Sequence, residues 1–367
     1  MSVENLAIVK TNDLPIRHQG DVHDGKVRSA YWFSQEDSQR VAEQTGFSGS
    51  NPELGALVIS DRISAYEFTW ETESGLKGIP GKGASLNAIS KHWFERFEQE
   101  GLAGNHIVAT PHPLVWIVQR AEPVMVEAIA RQYITGSMWR GYEKGDREIC
   151  GISVPEGLKK DQRLDQLLIT PSTKGLLRGI PGVPEVDDVN VTRQQILDNY
   201  TAFGFKSQAD VELYERLLTE GFSLIDRELD AVGKVFVDTK FEFGYVLVDG
   251  QQQLIYIDEI GTPDSSRYWD KELYQRGQTV EESKEMFREA LQASVPDRDV
   301  LVNKSRMDER TQLAESYRVP DSVFMETSAL YKGLAEKITG EPVPEIGDAR
   351  AEIVDALKPY GVIEMAA

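Results

Sequence analysis

The sequence predicts an α+β fold in which an antiparallel sheet comes first and helices follow. Three observations carry this. Up to about residue 120, segments rich in β-branched and aromatic residues alternate with glycine and proline turns and leave little room for helices. From about residue 127 helical patterns take over, interrupted at 179–189 by a loop with two prolines, two glycines and several acids. Residues 234–260 then read as strand, Asp-Gly turn and strand, and after Trp269 the chain is helical again. The expected divisions are a sheet domain over 1–122, a larger α+β domain over 123–275, and a helical extension over 276–367 packed on the second domain.

Taken in order, the turn at Asp24-Gly25 leads into KVRSAYWF, and LGALVIS (54–60) gives a second strand. A glycine- and lysine-bearing loop, 75–83, precedes a helix expected from about Leu86, with Ser85 as N-cap and Gly101 as its stop. Residues 107–126 alternate strand-like stretches with Pro111, Pro113 and Pro123. Thr192 with Gln195, and Ser207 with Asp210, have the spacing of capping boxes. Apolar residues at helical intervals follow each, and Gly204 and Gly221 are expected to end the two helices. Asp321, after Pro320, opens an amphipathic helix through Val323, Phe324, Leu330, Leu334 and Ile338 that closes near Gly340.

Composition narrows the function. Across 367 residues, 60 acids against 40 basic residues give a formal charge of −20, a field that repels nucleic acid and anionic membrane surfaces. Anionic small molecules therefore need local cations or a metal ion, so the informative basic residues are few and clustered. Cys150 is the single cysteine, which excludes an internal disulfide and fits a reduced compartment. With no leader-like start and no apolar run approaching the ~20 residues of a membrane span, a cytoplasmic location is expected. The five histidines show no metal-ligand spacing, and no serine or cysteine sits in a nucleophile-elbow motif.

The hairpin offers the most chemistry. Alternation places Asp238, Lys240 and Glu242 on one strand face and Val237, Thr239, Phe241 and Phe243 on the other. The partner strand ends in Asp258-Glu259. A three-residue turn would put Glu242 opposite Asp258; a turn of two or four residues shifts the register by one and reverses that assignment. A carboxylate pair on neighbouring strands suits Mg²⁺, which takes one or two carboxylates plus substrate phosphates. A surface ladder of charges fits the pattern equally well.

Other segments have anion-binding character. Gly25, Lys26 and Arg28 set two cations on alternate positions just after a glycine, although no GxxxxGK[ST] sequence exists. Arg131, Gly136 and Ser137, in RQYITGSMW, combine charge, backbone N–H and hydroxyl. Asp61-Arg62 and Lys82 lie at strand ends and loops, and Arg267 follows Pro263 in GTPDSSRYWD.

In order and wording these segments resemble the SAICAR synthetase family. The resemblance rests on GKVR (25–28), SDRISAYE (60–67), GKGASLNAISKHWF (81–94), RQYITGSMW (131–139), TPSTK (170–174), VFVDTKFEFG (235–244) and DEIGTPDSSRYWD (258–270), and covers residues from about 20 to about 270. It implies a first domain like the small lobe of kinases and an ATP cleft between the two domains. It further implies ligation of L-aspartate to the carboxylate of carboxyaminoimidazole ribotide (CAIR), through an acyl phosphate, with ATP as co-substrate and Mg²⁺ as cofactor. By matching position, Gly25, Lys26 and Arg28 would cover the ATP phosphates, Lys240 would contact the transferring phosphoryl group, and Glu242 and Asp258 would hold Mg²⁺. Arg131, Ser137 and Arg267 would grip the ribotide phosphate, Asp264 and Lys82 would line the substrate site, and Asp61 to Ser64 is the expected aspartate contact. Ser29, the Tyr66-Glu67 pair and the loop after TPSTK depart from the family pattern, so Asp187 and Asp188 receive no role. The tail is longer than compact family members need, and a second copy of the chain stays open as a partner. The rival readings are an ATP-dependent small-molecule kinase and a catalytically idle nucleotide-binding module; the latter would be expected to lose Lys240 or the carboxylates, all of which are present.

Overall fold

Two antiparallel sheets carry the functional residues in the computed structural model, which describes residues 7–48, 52–248 and 250–364. The first runs in the order His23–Asp24, Arg28–Trp32, Leu54–Ile59, Val115–Gln119, Ile107–His112. The second runs Arg163–Ile169, Val126–Tyr133, Lys234–Val248, Gln251–Ile257, and Ser266–Asp270 and Glu122–Pro123 also pair with the long strand Lys234–Val248. That strand is the spine of the molecule: it exchanges backbone bonds with four others along its length.

The helix Gln208–Ala231 covers the apolar face of the second sheet, and its Tyr214, Leu218, Phe222 and Ile225 share a core with Phe236, Phe241 and Phe243. Both expected caps are present. Thr192 and Gln195 form a reciprocal capping box, and the Ser207 hydroxyl accepts from the Asp210 N–H at 3.2 Å. Gly221, however, does not end its helix. A Cβ there would lie 2.8 Å from the Phe97 ring, so this glycine makes room for two aromatic rings to meet the helix backbone.

The helix expected from Leu86 begins a turn earlier, at Lys82, and runs to Gln99 with Gly81 as N-cap. Ser85 is not the cap; its hydroxyl bonds back to the Gly81 carbonyl at 2.8 Å. The reason lies far away in sequence: a carboxylate oxygen of Asp61 accepts the Gly83 N–H at 2.8 Å, satisfying a donor that the first helical turn otherwise leaves open. The Asp321–Thr339 helix closes on a left-handed Gly340, as its pattern predicts.

The tail, expected on the second domain, packs on both: residues 281–284 pair with Pro263, Tyr268 and Trp269 of the second, and the rest turns to the first. Its Tyr331, Ile353, Leu357 and Val362 join the core of the first sheet, with Tyr31, Val58 and Ile117. Phe287, Leu291 and Phe324 form a separate core with Trp70, Leu76 and Ile79. The first sheet has few helices of its own to cover it, and the tail supplies that cover. Leu334 and Ala335 also reach the larger core beside the Lys82–Gln99 helix.

Candidate active site

Asp238, Lys240 and Glu242 lie on one face of the long strand in two-residue steps of roughly 6.6 Å, while Phe241 and Phe243 point into the core behind them. Each makes a different contact. Asp238 accepts from Arg131 at 3.1 Å and Arg267 at 2.6 Å through the same oxygen. Lys240 donates to Glu127 at 2.8 Å and to Glu242 at 3.1 Å. The second oxygen of Glu242 takes Lys174. Burial opposes the Lys240 charge, but Glu242 and Glu127 outweigh it and raise its pKa above the ordinary lysine value, so Lys240 is a permanent cation.

Beyond Glu242 opens a cavity of about 380 Å³ between the two sheets. Gly25, Lys26, Arg28, Lys174, Glu242 and Asp258 form its polar side, and Leu57, Val118 and Ile257 are among its apolar residues. A cavity with one apolar and one charged wall suits a ligand with a flat base and a phosphate chain. Val248 pairs with Gln251, which fixes the register with two residues between the strands; Asp249 of the expected Asp-Gly turn lies outside the described residues. Glu242 is therefore opposite Ile257, not Asp258, so the three-residue alternative does not hold. Asp258 nonetheless reaches the same cavity because it lies past the strand end with φ 62°, a left-handed kink that breaks the alternation.

Arg28 crosses from the first sheet to this kink, donating to Asp258 at 2.8 Å and to Glu259 at 3.1 Å, with its guanidinium 5.7 Å from the centre of the Trp116 ring. Burial raises the Asp258 carboxyl, yet Arg28, Lys174 and Lys240 prevail and hold it below the ordinary value. Glu242 and Asp258 thus present hard oxygen donors to one cavity, a donor set that fits Mg²⁺ completed by phosphate oxygens and water. Among the described residues no group of three or more His, Cys, Asp or Glu is arranged as a metal site. Any divalent ion here would depend on its ligand for the remaining oxygens.

On the other side of Lys240 lies a second cavity, of about 260 Å³, to which Arg131, Ser137, Asp238, Lys240, Asp264 and Arg267 contribute. Gly136, with φ +54°, has the Arg267 guanidinium 2.6 Å from where a Cβ would be, so only glycine lets that arginine lie against the start of the Gly136–Glu143 helix. Asp264 sits 2.8 Å from Lys82 and 3.5 Å from Lys284, and accepts from the Tyr331 hydroxyl at 2.5 Å. Burial would raise this carboxyl; the two lysines and the hydroxyl together pull it well below the carboxylate range.

Three expected substrate residues fall elsewhere. Both oxygens of Asp61 are taken by backbone N–H groups, Ile8 at 2.9 Å and Gly83 at 2.8 Å. Ser64 pairs with Thr69 in a two-stranded ribbon. Lys82 is fully buried behind Asp264. None of the three lines either cavity. Conversely, the structure brings in Lys174, Glu127, Asp188, Lys284 and Arg288, which the sequence reading left without a role. Lys174 closes the TPSTK motif and Asp188 lies in the divergent loop; Lys284 and Arg288 sit on the helix Lys284–Ser294, one turn apart.

Comparison with known proteins points to one family. Residues 40–301 match the SAICAR synthetase family model. The chain is 55% identical over 367 residues to a phosphoribosylaminoimidazole-succinocarboxamide synthase of Vibrio campbellii, covering 99% of this chain and 100% of that one. It is 56% identical over 360 residues to the enzyme of the same name from Colwellia psychrerythraea, covering 98% of each. A solved SAICAR synthase from Saccharomyces cerevisiae, complexed with SAICAR, superposes with a TM-score of 0.64 at 25% identity, covering 92% of this chain and 100% of the yeast one.

Proposed function

The chain belongs to the SAICAR synthetase family, and from that premise we propose how its two cavities divide the work of the reaction. The enzyme joins L-aspartate to the carboxylate of CAIR at the expense of ATP, giving SAICAR, ADP and phosphate, a step of purine biosynthesis. The kinase alternative is not favoured by these relatives. The proposal concerns the residues, the metal and the order of events.

ATP occupies the cavity of mixed polarity, with its phosphates under the Gly25 to Arg28 turn and toward Lys174. CAIR occupies the polar cavity, its phosphate on Arg131, Ser137 and Arg267. Lys240 stands where the two meet. The single observation that carries this reading is that Asp238, Lys240 and Glu242 share one strand face, with Asp238 and Lys240 on one cavity and Glu242 on the other. Glu242 and Asp258 would hold Mg²⁺, which when bound neutralises phosphate charge and draws the phosphate oxygens into line.

A carboxylate oxygen of CAIR attacks the γ-phosphorus of ATP, ADP leaves, and an acyl phosphate forms. The aspartate ammonium gives up one proton to solvent, the resulting amine attacks the acyl carbon, and the amide bond forms as phosphate departs and a second nitrogen proton passes to solvent. Lys240 neutralises charge on the transferring group throughout, and positioning with charge neutralisation supplies most of what such a transfer requires. Asp264, Lys284 and Arg288 receive aspartate, in place of the Asp61 to Ser64 stretch. We also assign the enzyme to the cytoplasm, in keeping with its lone unpaired cysteine. A coupled assay omitting each substrate in turn tests the sequence of events: ADP release is expected to require both CAIR and aspartate for turnover, whereas stoichiometric ADP with a stable phosphorylated ribotide as final product would contradict the ligase order.

A further inference from the structure

We propose that Tyr331 is a positioning residue of the substrate pocket, which makes the helix Asp321–Thr339 part of the active centre; the inference rests on the reading of Asp264 as an aspartate contact. This helix lies wholly beyond the residues that match the family model, 40–301. It reaches the site nonetheless. Ser328 donates to the Pro80 carbonyl at 2.5 Å, anchoring the helix beside Gly81, and one turn on Tyr331 places its hydroxyl 2.5 Å from Asp264 Oδ1.

The arrangement around that carboxylate divides its two oxygens. Oδ1 takes the tyrosine hydroxyl, while Oδ2 faces Lys82 at 2.8 Å and Lys284 at 3.5 Å. Tyr331 and Lys82 are both fully buried, and the Lys82 ammonium lies 5.9 Å from the centre of the Tyr331 ring. Neither touches the cavity, whereas Asp264 and Lys284 both line it. A carboxylate with one oxygen fixed has a defined plane, so the hydroxyl sets which way Oδ2, and with it Lys284, is presented to a ligand. With the ribotide phosphate on Arg131, Ser137 and Arg267, an anion beside a cation remains for a zwitterionic amino acid with an ammonium and carboxylates. Removing the hydroxyl leaves ring packing in place and leaves the carboxylate held through Oδ2 alone, by Lys82 and Lys284, with Oδ1 no longer fixed. The consequence is a selective loss at the amino-acid subsite, while the nucleotide cavity on the far side of Lys240 is untouched.

The test is steady-state kinetics of the full-length enzyme with ATP, aspartate and CAIR each varied, on Tyr331→Phe, Ser207→Ala and Asp264→Asn, with thermal unfolding of each. Tyr331→Phe is expected to raise the aspartate KM roughly tenfold, the effect of one hydrogen bond to a charged group, with the ATP KM unchanged. Ser207→Ala, which removes the N-cap of the helix Gln208–Ala231 and touches neither cavity, is expected to lower stability and leave every KM alone. If Tyr331→Phe alters all three KM values alike, or none, the positioning role is overturned. Impaired aspartate kinetics in Asp264→Asn but not in Tyr331→Phe would overturn this inference alone; unaltered kinetics in Asp264→Asn would overturn the reading of the pocket beneath it.

Discussion

Replacing Lys240 with methionine removes the cation between the two cavities while keeping most of the side-chain volume. Its ammonium touches two carboxylates, Glu127 and Glu242. Each has a second donor: Ser172 bonds Glu127 at 3.3 Å, and Lys174 bonds Glu242. The fold therefore loses charge-assisted bonds without leaving either acid alone, and the stability cost falls near the low end for such bonds, about 1.5 kcal/mol. Catalysis loses far more, because nothing else at this position follows the negative charge of the phosphoryl group in flight. Loss of one preorganised electrostatic stabiliser costs roughly 10²- to 10³-fold in kcat, or about 2.7–4 kcal/mol. Coupled measurement of ADP release at saturating substrates, beside a denaturant titration, separates the two effects. A Lys240→Met enzyme that stays folded and retains more than about a tenth of its kcat would refute the role given to this lysine, since one decade is only about 1.4 kcal/mol of barrier.

The other predictions concern the metal and a buried acid. Glu242→Gln and Asp258→Asn are each expected to raise the Mg²⁺ concentration for half-maximal turnover at least roughly tenfold, as loss of one of two carboxylate ligands implies, with the fold intact by circular dichroism; an unchanged Mg²⁺ dependence in both would place the metal elsewhere. Burial raises the Asp61 carboxyl to about 6 against the pull of the Gly83 and Ile8 N–H groups. The folded chain thus holds a proton that the unfolded chain releases near pH ~3.9, so this group lowers stability as pH rises between those values. A carboxyl resonance of Asp61 titrating near 6 is expected, and a midpoint at or below ~4, the value of a free aspartate, would contradict it.

Local patterns carried well and long-range ones did not. The caps at Thr192 and Ser207 and the alternation of Asp238, Lys240 and Glu242 involve neighbours within four residues, and they stand as read. Asp258 reached the right cavity for a reason absent from the alternation rule: pleat geometry ends with the strand, and a left-handed residue redirects the side chain. Asp61 sat among residues that resemble a substrate motif, yet its partners are two backbone N–H groups 53 and 22 residues away in sequence, which no local pattern reveals. Lys284 and Tyr331 were invisible for a related cause. Their roles exist because the tail folds back over the first sheet and past Asp264, a matter of tertiary packing.

Co-crystallisation with ADP and CAIR tests the central claim most directly, because it asks where each ligand sits relative to the strand Lys234–Val248. The account predicts the diphosphate between the Gly25 to Arg28 turn and the Glu242 and Asp258 carboxylates, and the ribotide phosphate on Arg131 and Arg267, with the Lys240 ammonium between them. Density for the nucleotide in any other cavity, or both ligands on the same side of Lys240, would contradict it.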